Sequence, residues 1–329
     1  MPHSDDMKTI DFQSELERTI KSIDRVCNDE LWKLLIEIIK SGKKLRPNFV
    51  TLLWENCLPK QAIPPKLIND LIALELIHTS TLIHDDIIDK GLFRRNISTI
   101  NNEYGDEIAL LMGNIVKDLA LKLSTLQNTF TLNAASFDVN LGQLWETLAR
   151  EHTTISVNHY FAIVLFKTSK IFAHALDIFS LFSHITLTST EKNFVVAMAM
   201  LYQIADDLLD HLNATPKDKS IGQDKKNNVH SFVYASFDNT LDNLADKDGV
   251  RYTEEVCFIK KYIDIVRESY NFNSKIEELS AEKQLNFLKD LCVLLTNETK
   301  KQKINDGISQ VLSIYFEKIL SSISHLQLQ

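Results

Sequence analysis

"HTSTLIHDDIIDKGLFRRN" (His78–Asn96) sets three aspartates, Asp85, Asp86 and Asp89, and two arginines, Arg94 and Arg95, among the apolar residues Leu82, Ile83, Ile87, Ile88, Leu92 and Phe93. An α-helix turns about 100° per residue, so Asp85 and Asp89 lie about 40° apart on one face. His78 falls about 20° from the same line, and Asp86 sits about 60° to the side of Asp89. Far downstream, "YQIADDLLD" (Tyr202–Asp210) repeats the stripe: Gln203, Asp206 and Asp210 keep the spacing, and Asp207 takes the place of Asp86. Charge runs are usually solvated helix faces. Aspartate is a poor helix former, however, and both clusters sit within strongly apolar segments, which favours a functional reading.

Two such carboxylate faces, if opposed, repel in a low-dielectric cleft and need cations between them. Oxygen-only ligands suit Mg2+, which commonly bridges carboxylates to substrate phosphates. The basic residues fit a phosphate partner. "GKKLRP" places Lys43 and Arg46 at a helix start, where backbone N–H groups favour anions. Arg94 and Arg95 follow the first cluster, and arginine forks match phosphate oxygens. "FKTSK" sets Lys167 and Thr168 inside an apolar helix, where a lone lysine is costly without a partner. Lys219, Lys225 and Lys226 stand in the loop after the second cluster, as a mobile lid would.

The wider sequence narrows the class. A chain of 329 residues can bury a sizeable core without disulfides or a structural metal. Its net charge of −8 argues against a nucleic-acid surface. Cys27, Cys57, Cys257 and Cys292 lack metal-ligand spacing and read as free thiols of a reducing cytosol. "MPHSDDMKTI" is acidic and polar, unlike a secretory leader, and no uncharged apolar run reaches about 18 residues, so no membrane span is expected. The 3.6-residue period dominates: helices are expected within 30–42, after Pro47, over 66–90, 105–127, 130–150, 155–185 and 191–212, and in three segments after residue 250. Residues 211–229 read as a polar loop, and no strand is expected. One all-α domain over 1–329 is the simplest account.

The order of these elements resembles the trans-isoprenyl diphosphate synthases, the polyprenyl synthetase family. Its first motif, DDxxD, is matched by Asp85–Asp89 with the arginine pair Arg94-Arg95 behind it. Its G-K-x-L-R-P element is matched by "GKKLRP", the upstream histidine by "ELIH" (Glu75–His78), the K-T pair by Lys167-Thr168, and the second motif by "YQIADDLLD". The resemblance spans about residues 30–235.

It implies an all-α isoprenoid synthase fold with helices around a central catalytic cavity, in a cytoplasmic homodimer. It further implies Mg2+-dependent condensation of an allylic diphosphate with isopentenyl diphosphate. By motif position, Asp85, Asp89 and Asp206 ligate three Mg2+ ions, and Asp86, Asp207 and Asp210 support that metal cluster. Arg94, Lys167 and Lys219 contact the allylic diphosphate. Lys43, Arg46, His78 and Arg95 hold isopentenyl diphosphate, while Thr168 and Gln203 line the reacting carbons. The floor of the family's product pocket lies just before the first motif, here at Ser80 and Thr81. Both are small, so the expected product is an all-trans polyprenyl diphosphate of C20 or longer, with Ile77 and Leu74 bearing on its final length. A peripheral membrane contact for product release is compatible with this.

Three departures stand out: Ser41-Gly42 replaces a Gly-Gly pair, Asn114 replaces a frequent aspartate, and Val229 and Ser231 replace a lysine and a threonine beyond the second motif. Residues 236–329 carry no motif and read as packing. The alternatives are a class I terpene cyclase, against which "DDLLD" argues, and a non-catalytic subunit of a heteromeric synthase, which generally loses the aspartates kept here.

Overall fold

In the computed structural model, residues 12–22, 26–212, 230–250, 252–272 and 274–324 are described. They are helical almost throughout, as the 3.6-residue period predicts, and they divide into two compact units. One comprises Met1–Asn133 with Ala175–Ile185, and the other Ala134–His174 with Thr186–Gln329. Lys219, Lys225, Lys226 and Val229 lie outside the described residues.

In the first unit, α1 (Phe12–Ser22) buries Phe12, Leu16 and Ile20, one residue per turn. Helix α2 (Asp29–Lys40) begins under Asn28, whose side chain accepts the Leu31 N–H at 2.9 Å. Helix α3 (Leu45–Cys57) starts earlier than expected, with Pro47 in its first turn. A missing N–H needs no partner there. Helix α4 (Pro65–Ile88) opens on proline for the same reason and carries the first aspartate cluster at its C-terminal end. Helices α5 (Ile100–Tyr104) and α6 (Asp106–Leu123) follow, and α6 packs along α4 through Ala109, Met112 and Val116.

The segment joining α4 to α5 corrects the expectation of no strand. It forms a hairpin of β1 (Phe93–Arg94) and β2 (Ile97–Ser98), with Arg94 opposite Ile97. Arg95 and Asn96 take φ of 52° and 62°, the left-handed pair that a two-residue type I′ turn requires. Strands of two residues are too short to show alternation in sequence.

Helix α7 (Leu126–Ala149) leaves the first unit and continues into the second. Its start is fixed by Asp70 of α4, which is fully buried. Asp70 accepts the Thr125 N–H at 2.7 Å, the Thr125 hydroxyl at 2.8 Å and the Asn128 amide at 2.7 Å.

In the second unit the expected helix over 155–185 is interrupted. Helix α8 (Val157–Val164) runs into a π turn (Leu165–Ser169) before α9 (Lys170–Ser183) resumes. Such turns insert one residue into the helical register and often mark functional positions. Helix α10 (Ser189–His211) begins with a reciprocal cap between Thr188 and Glu191 and carries the second aspartate cluster. The chain continues through α11 (Asp242–Lys247), α12 (Glu254–Tyr270), α13 (Ala281–Lys301) and α14 (Asp306–Ser324). Phe237 and Phe287, from the motif-free region, gather with Phe161 around Phe232, and Phe272 packs behind them on Phe237 and Phe287.

Replacing Asp70 by leucine strands three donors at the start of α7. Asp70→Leu is expected to lower the unfolding free energy by about 3 kcal/mol, read from urea denaturation.

Candidate active site

The site residues form two sets, one in each unit. In the first, Asp85 and Asp86 are buried near the end of α4, and Asp89 closes the helix with its N–H on the Asp85 carbonyl at 2.8 Å. Asp86 is engaged by Arg94: Nε lies 3.1 and 3.0 Å from its two oxygens, and Nη2 lies 2.8 Å from Oδ1. Burial raises the Asp86 carboxyl above its ordinary value, and the Arg94 fork only partly opposes this. For Arg94, burial is outweighed by the Asp86, Asp85 and Asp89 carboxylates, so its affinity for the proton rises. The Asn101 amide spans the Asp86 and Gly91 carbonyls at 3.2 and 3.1 Å and fixes the loop between them.

The hairpin turn delivers Arg95 to a group of cations. Its Nη1 donates to Ser41 Oγ at 3.5 Å, and Arg46 pairs with the buried Glu75 at 3.5 Å. Lys44, which sequence reasoning missed, is buried in a left-handed conformation (φ 50°) and donates to the Ile39 carbonyl. Burial lowers its proton affinity, with Glu75 opposing. A side chain on Gly42 would meet Lys44 Nζ at 2.9 Å and Arg95 Nη1 at 3.3 Å, so glycine leaves room for both. Lys43 is exposed. His78 is driven well below the usual imidazole value by burial and then by Arg46, Arg94, Arg95 and Lys44. It is therefore uncharged at neutral pH. Ile77, Ser80 and Thr81 are buried on α4, as is Leu74.

In the second unit, Gln203, Asp206, Asp207 and Asp210 lie on α10. Asp207 accepts the Tyr160 hydroxyl, the Phe232 N–H and the Gln203 amide, each at 2.8 Å. Burial still pushes its carboxyl up to about 6. Thr168 donates to Gln203 Oε1 at 3.4 Å, so the structure brings together two residues assigned to the reacting carbons. Lys167, in the π turn, lies 2.6 Å from Glu146 of α7. Neither Glu146 nor the Tyr160–Phe232 anchor stands in a motif that sequence reasoning singled out. The cost of a lone lysine signalled that Lys167 has a partner but not which residue it is.

The donor set fits a hard, oxygen-preferring ion, because the two aspartate clusters supply carboxylates only. Among the described residues, no three acidic, imidazole or thiol side chains are gathered tightly enough to hold an ion by themselves. An ion bound here would complete its shell with substrate oxygens and water, as Mg2+ commonly does.

Asp207 also makes stability depend on pH. Its carboxyl titrates at about 6 when folded, against an ordinary 3.8, so the folded state binds the proton more tightly. The stabilising effect of that proton is complete below the unfolded value and is lost as pH rises through 6. Between pH 4 and pH 7 in a chelating buffer, the wild type should lose about 2 kcal/mol relative to Asp207→Asn. Urea titrations at each pH measure the difference.

Comparison with known proteins places this geometry in a family. The polyprenyl synthetase family matches residues 28–245. A prenyl transferase of Cyanophora paradoxa is 25% identical over 243 residues, covering 69% of this chain and 75% of that protein. A geranylfarnesyl diphosphate synthase of Methanosarcina mazei is 29% identical over 204 residues, covering 60% of this chain and 68% of its own. The crystal structure of a Caulobacter crescentus polyprenyl synthase, complexed with calcium and isoprenyl diphosphate, has the same all-α fold. It superposes with a TM-score of 0.69 at 18% identity, covering 94% of each chain. The chain belongs to the polyprenyl synthetase family and is a trans-prenyltransferase.

Proposed function

We propose that this enzyme, acting as one functional domain with Mg2+, condenses an allylic diphosphate with isopentenyl diphosphate. The product is an all-trans polyprenyl diphosphate of C20 or longer. The observation that carries the assignment is the convergence of Lys44 and Arg95 on Gly42, with Arg46 on Glu75 and Arg94 on Asp86, beside the α4 turn that bears Asp85 and Asp89. Such a set of cations attracts an anion with several charged oxygens, as a diphosphate has.

Asp85, Asp89 and Asp206 are the proposed ligands of three Mg2+ ions, with Asp210 supporting them. Asp86 and Asp207, tied to protein donors, act by fixing the ends of α4 and α10. When bound, the metal neutralises diphosphate charge and makes it a better leaving group. Arg94, Lys167 and Lys219 contact the allylic diphosphate. Lys43, Arg46, His78 and Arg95 hold isopentenyl diphosphate, with Lys44 behind them. The allylic C–O bond breaks toward a carbocation, which the isopentenyl double bond attacks; the proton then lost leaves with the diphosphate. Thr168 and Gln203 line the reacting carbons, and apolar surroundings exclude water that would quench the cation.

Small, buried Ser80 and Thr81 support a long product, as does the similarity to a geranylfarnesyl diphosphate synthase. Leu126, Phe130, Phe137 and Leu144 recur at intervals of four and seven along α7 and are exposed, which supports a homodimer built on that stripe. No described helix is long and apolar enough to cross a membrane. Peripheral contact during product release fits the proposal. Cys257 and Cys292 carry free thiols, and we place the enzyme in the cytoplasm.

The test is purified protein with Mg2+, an allylic diphosphate and labelled isopentenyl diphosphate. Elongated diphosphates are expected. A hydrocarbon formed without isopentenyl diphosphate would instead indicate a cyclase, and activity only with a second protein would indicate a subunit. Asp85→Ala and Asp206→Ala should each nearly abolish turnover, as should chelation of the metal; near-normal rates would refute the ligand assignment. Chromatography of dephosphorylated products should show shorter chains from Ser80→Phe, whose ring would fill the space the chain grows into.

A further inference from the structure

Lys167 is gripped at both backbone and side chain by one face of α7. Gly142 and Glu146, four residues apart, share that face. A Cβ on Gly142 would fall 2.3 Å from the Lys167 nitrogen and 2.7 Å from its Cα, so the helix touches the backbone of the π turn. One turn along, Glu146 Oε2 lies 2.6 Å from Lys167 Nζ, and it also accepts the Gln143 amide at 3.2 Å and faces Arg150 at 3.6 Å. Burial would raise this carboxyl; Lys167, Arg150 and Gln143 outweigh it and hold Glu146 ionised below its ordinary value. Phe166, next to Lys167, is fixed edge-on against Trp145 of the same helix, with centroids 4.8 Å apart.

We infer that Glu146 is a positioning residue for diphosphate recognition: seated by Gly142, it fixes where the π turn presents the Lys167 ammonium. This rests on the reading of Lys167 as a ligand of the allylic diphosphate. An ammonium carries three donors, so a carboxylate and a phosphate can share it. The lysine stem has four rotatable carbons, and a fixed partner removes that freedom before the substrate arrives. Positioning and plain electrostatics predict opposite signs. Removing the Glu146 charge makes its surroundings more positive, so electrostatics alone would tighten diphosphate binding. Loss of positioning would weaken it.

The experiment is a double-mutant cycle on the full-length protein with Glu146→Gln, Lys167→Met and the combined variant. Calorimetry would measure binding of a non-cleavable allylic thiodiphosphate with Mg2+, and circular dichroism would confirm folding. Glu146→Gln should weaken binding roughly tenfold, raise KM for the allylic substrate and leave KM for isopentenyl diphosphate unchanged. Added to Lys167→Met, it should cost nothing further. Glu146→Asp, with the charge kept and the reach shortened, should fall between wild type and Gln, and it serves alone if the Gln variant does not fold. Unchanged or tighter binding by Glu146→Gln, or an equal loss in the Lys167→Met background, would overturn the inference while leaving the Lys167 assignment intact. Normal binding by Lys167→Met would remove that assignment and the inference with it.

Discussion

The Arg94–Asp86 fork is the contact on which the first unit's site depends. It fastens the hairpin to the helix that carries the aspartates, with short hydrogen bonds to both oxygens of one carboxylate. A turn built on two left-handed non-glycine residues, Arg95 and Asn96, is costly by itself. It persists when its strands are anchored, and Arg94, the residue before the turn, supplies that anchor. Arg95 then reaches Ser41 and the surroundings of His78. The strained turn and the cation set are therefore parts of one arrangement.

A parallel arrangement organises the second unit through a different donor set. Asp207 stands in its motif where Asp86 stands in the other, but its partners are a tyrosine hydroxyl, a backbone N–H and an amide. None carries a charge, and burial dominates its titration despite three hydrogen bonds, as it does at Asp86 despite the Arg94 fork. The Phe232 N–H ties α10 to the chain returning after residue 229, and Phe232 itself rests on aromatic rings from α8, α13 and the segment before α11. Residues 236–329 read as packing in sequence. Part of that packing holds the backbone group that anchors Asp207.

Much of this was legible because it is periodic or ordered along the chain. Apolar spacing predicted the long helices, and the succession from "GKKLRP" to "YQIADDLLD" carried the family. What escaped has other physical origins. The hairpin is too short to alternate. Lys44 looks like any lysine until a left-handed backbone turns it inward. The π turn leaves the apolar pattern nearly unbroken, so 155–185 reads as one helix. Glu146 sits 21 residues from Lys167, a tertiary pairing that no local rule reveals. The start of α3 is expected after Pro47 but lies at Leu45, because proline is disfavoured in helix interiors but tolerated in the first turn.

The electrostatics also bear on what can bind. The approach of Lys44 and Arg95 at Gly42, with Arg46 also acting on Lys44, is unfavourable while no anion is present, since like charges repel in poorly hydrated surroundings. Glu75 and Asp86 relieve part of this, and they do so from fixed positions. A monoanion would engage one or two of the cations. A diphosphate offers several oxygens at spacings that arginine forks accept in pairs, so its binding offsets repulsion across the group at once. The neutral state of His78 suits the same ligand, because an uncharged imidazole can accept or donate a hydrogen bond without adding a fifth charge. The chain thus tolerates a locally unfavourable charge arrangement that a polyanionic substrate bound there, as proposed, would make favourable.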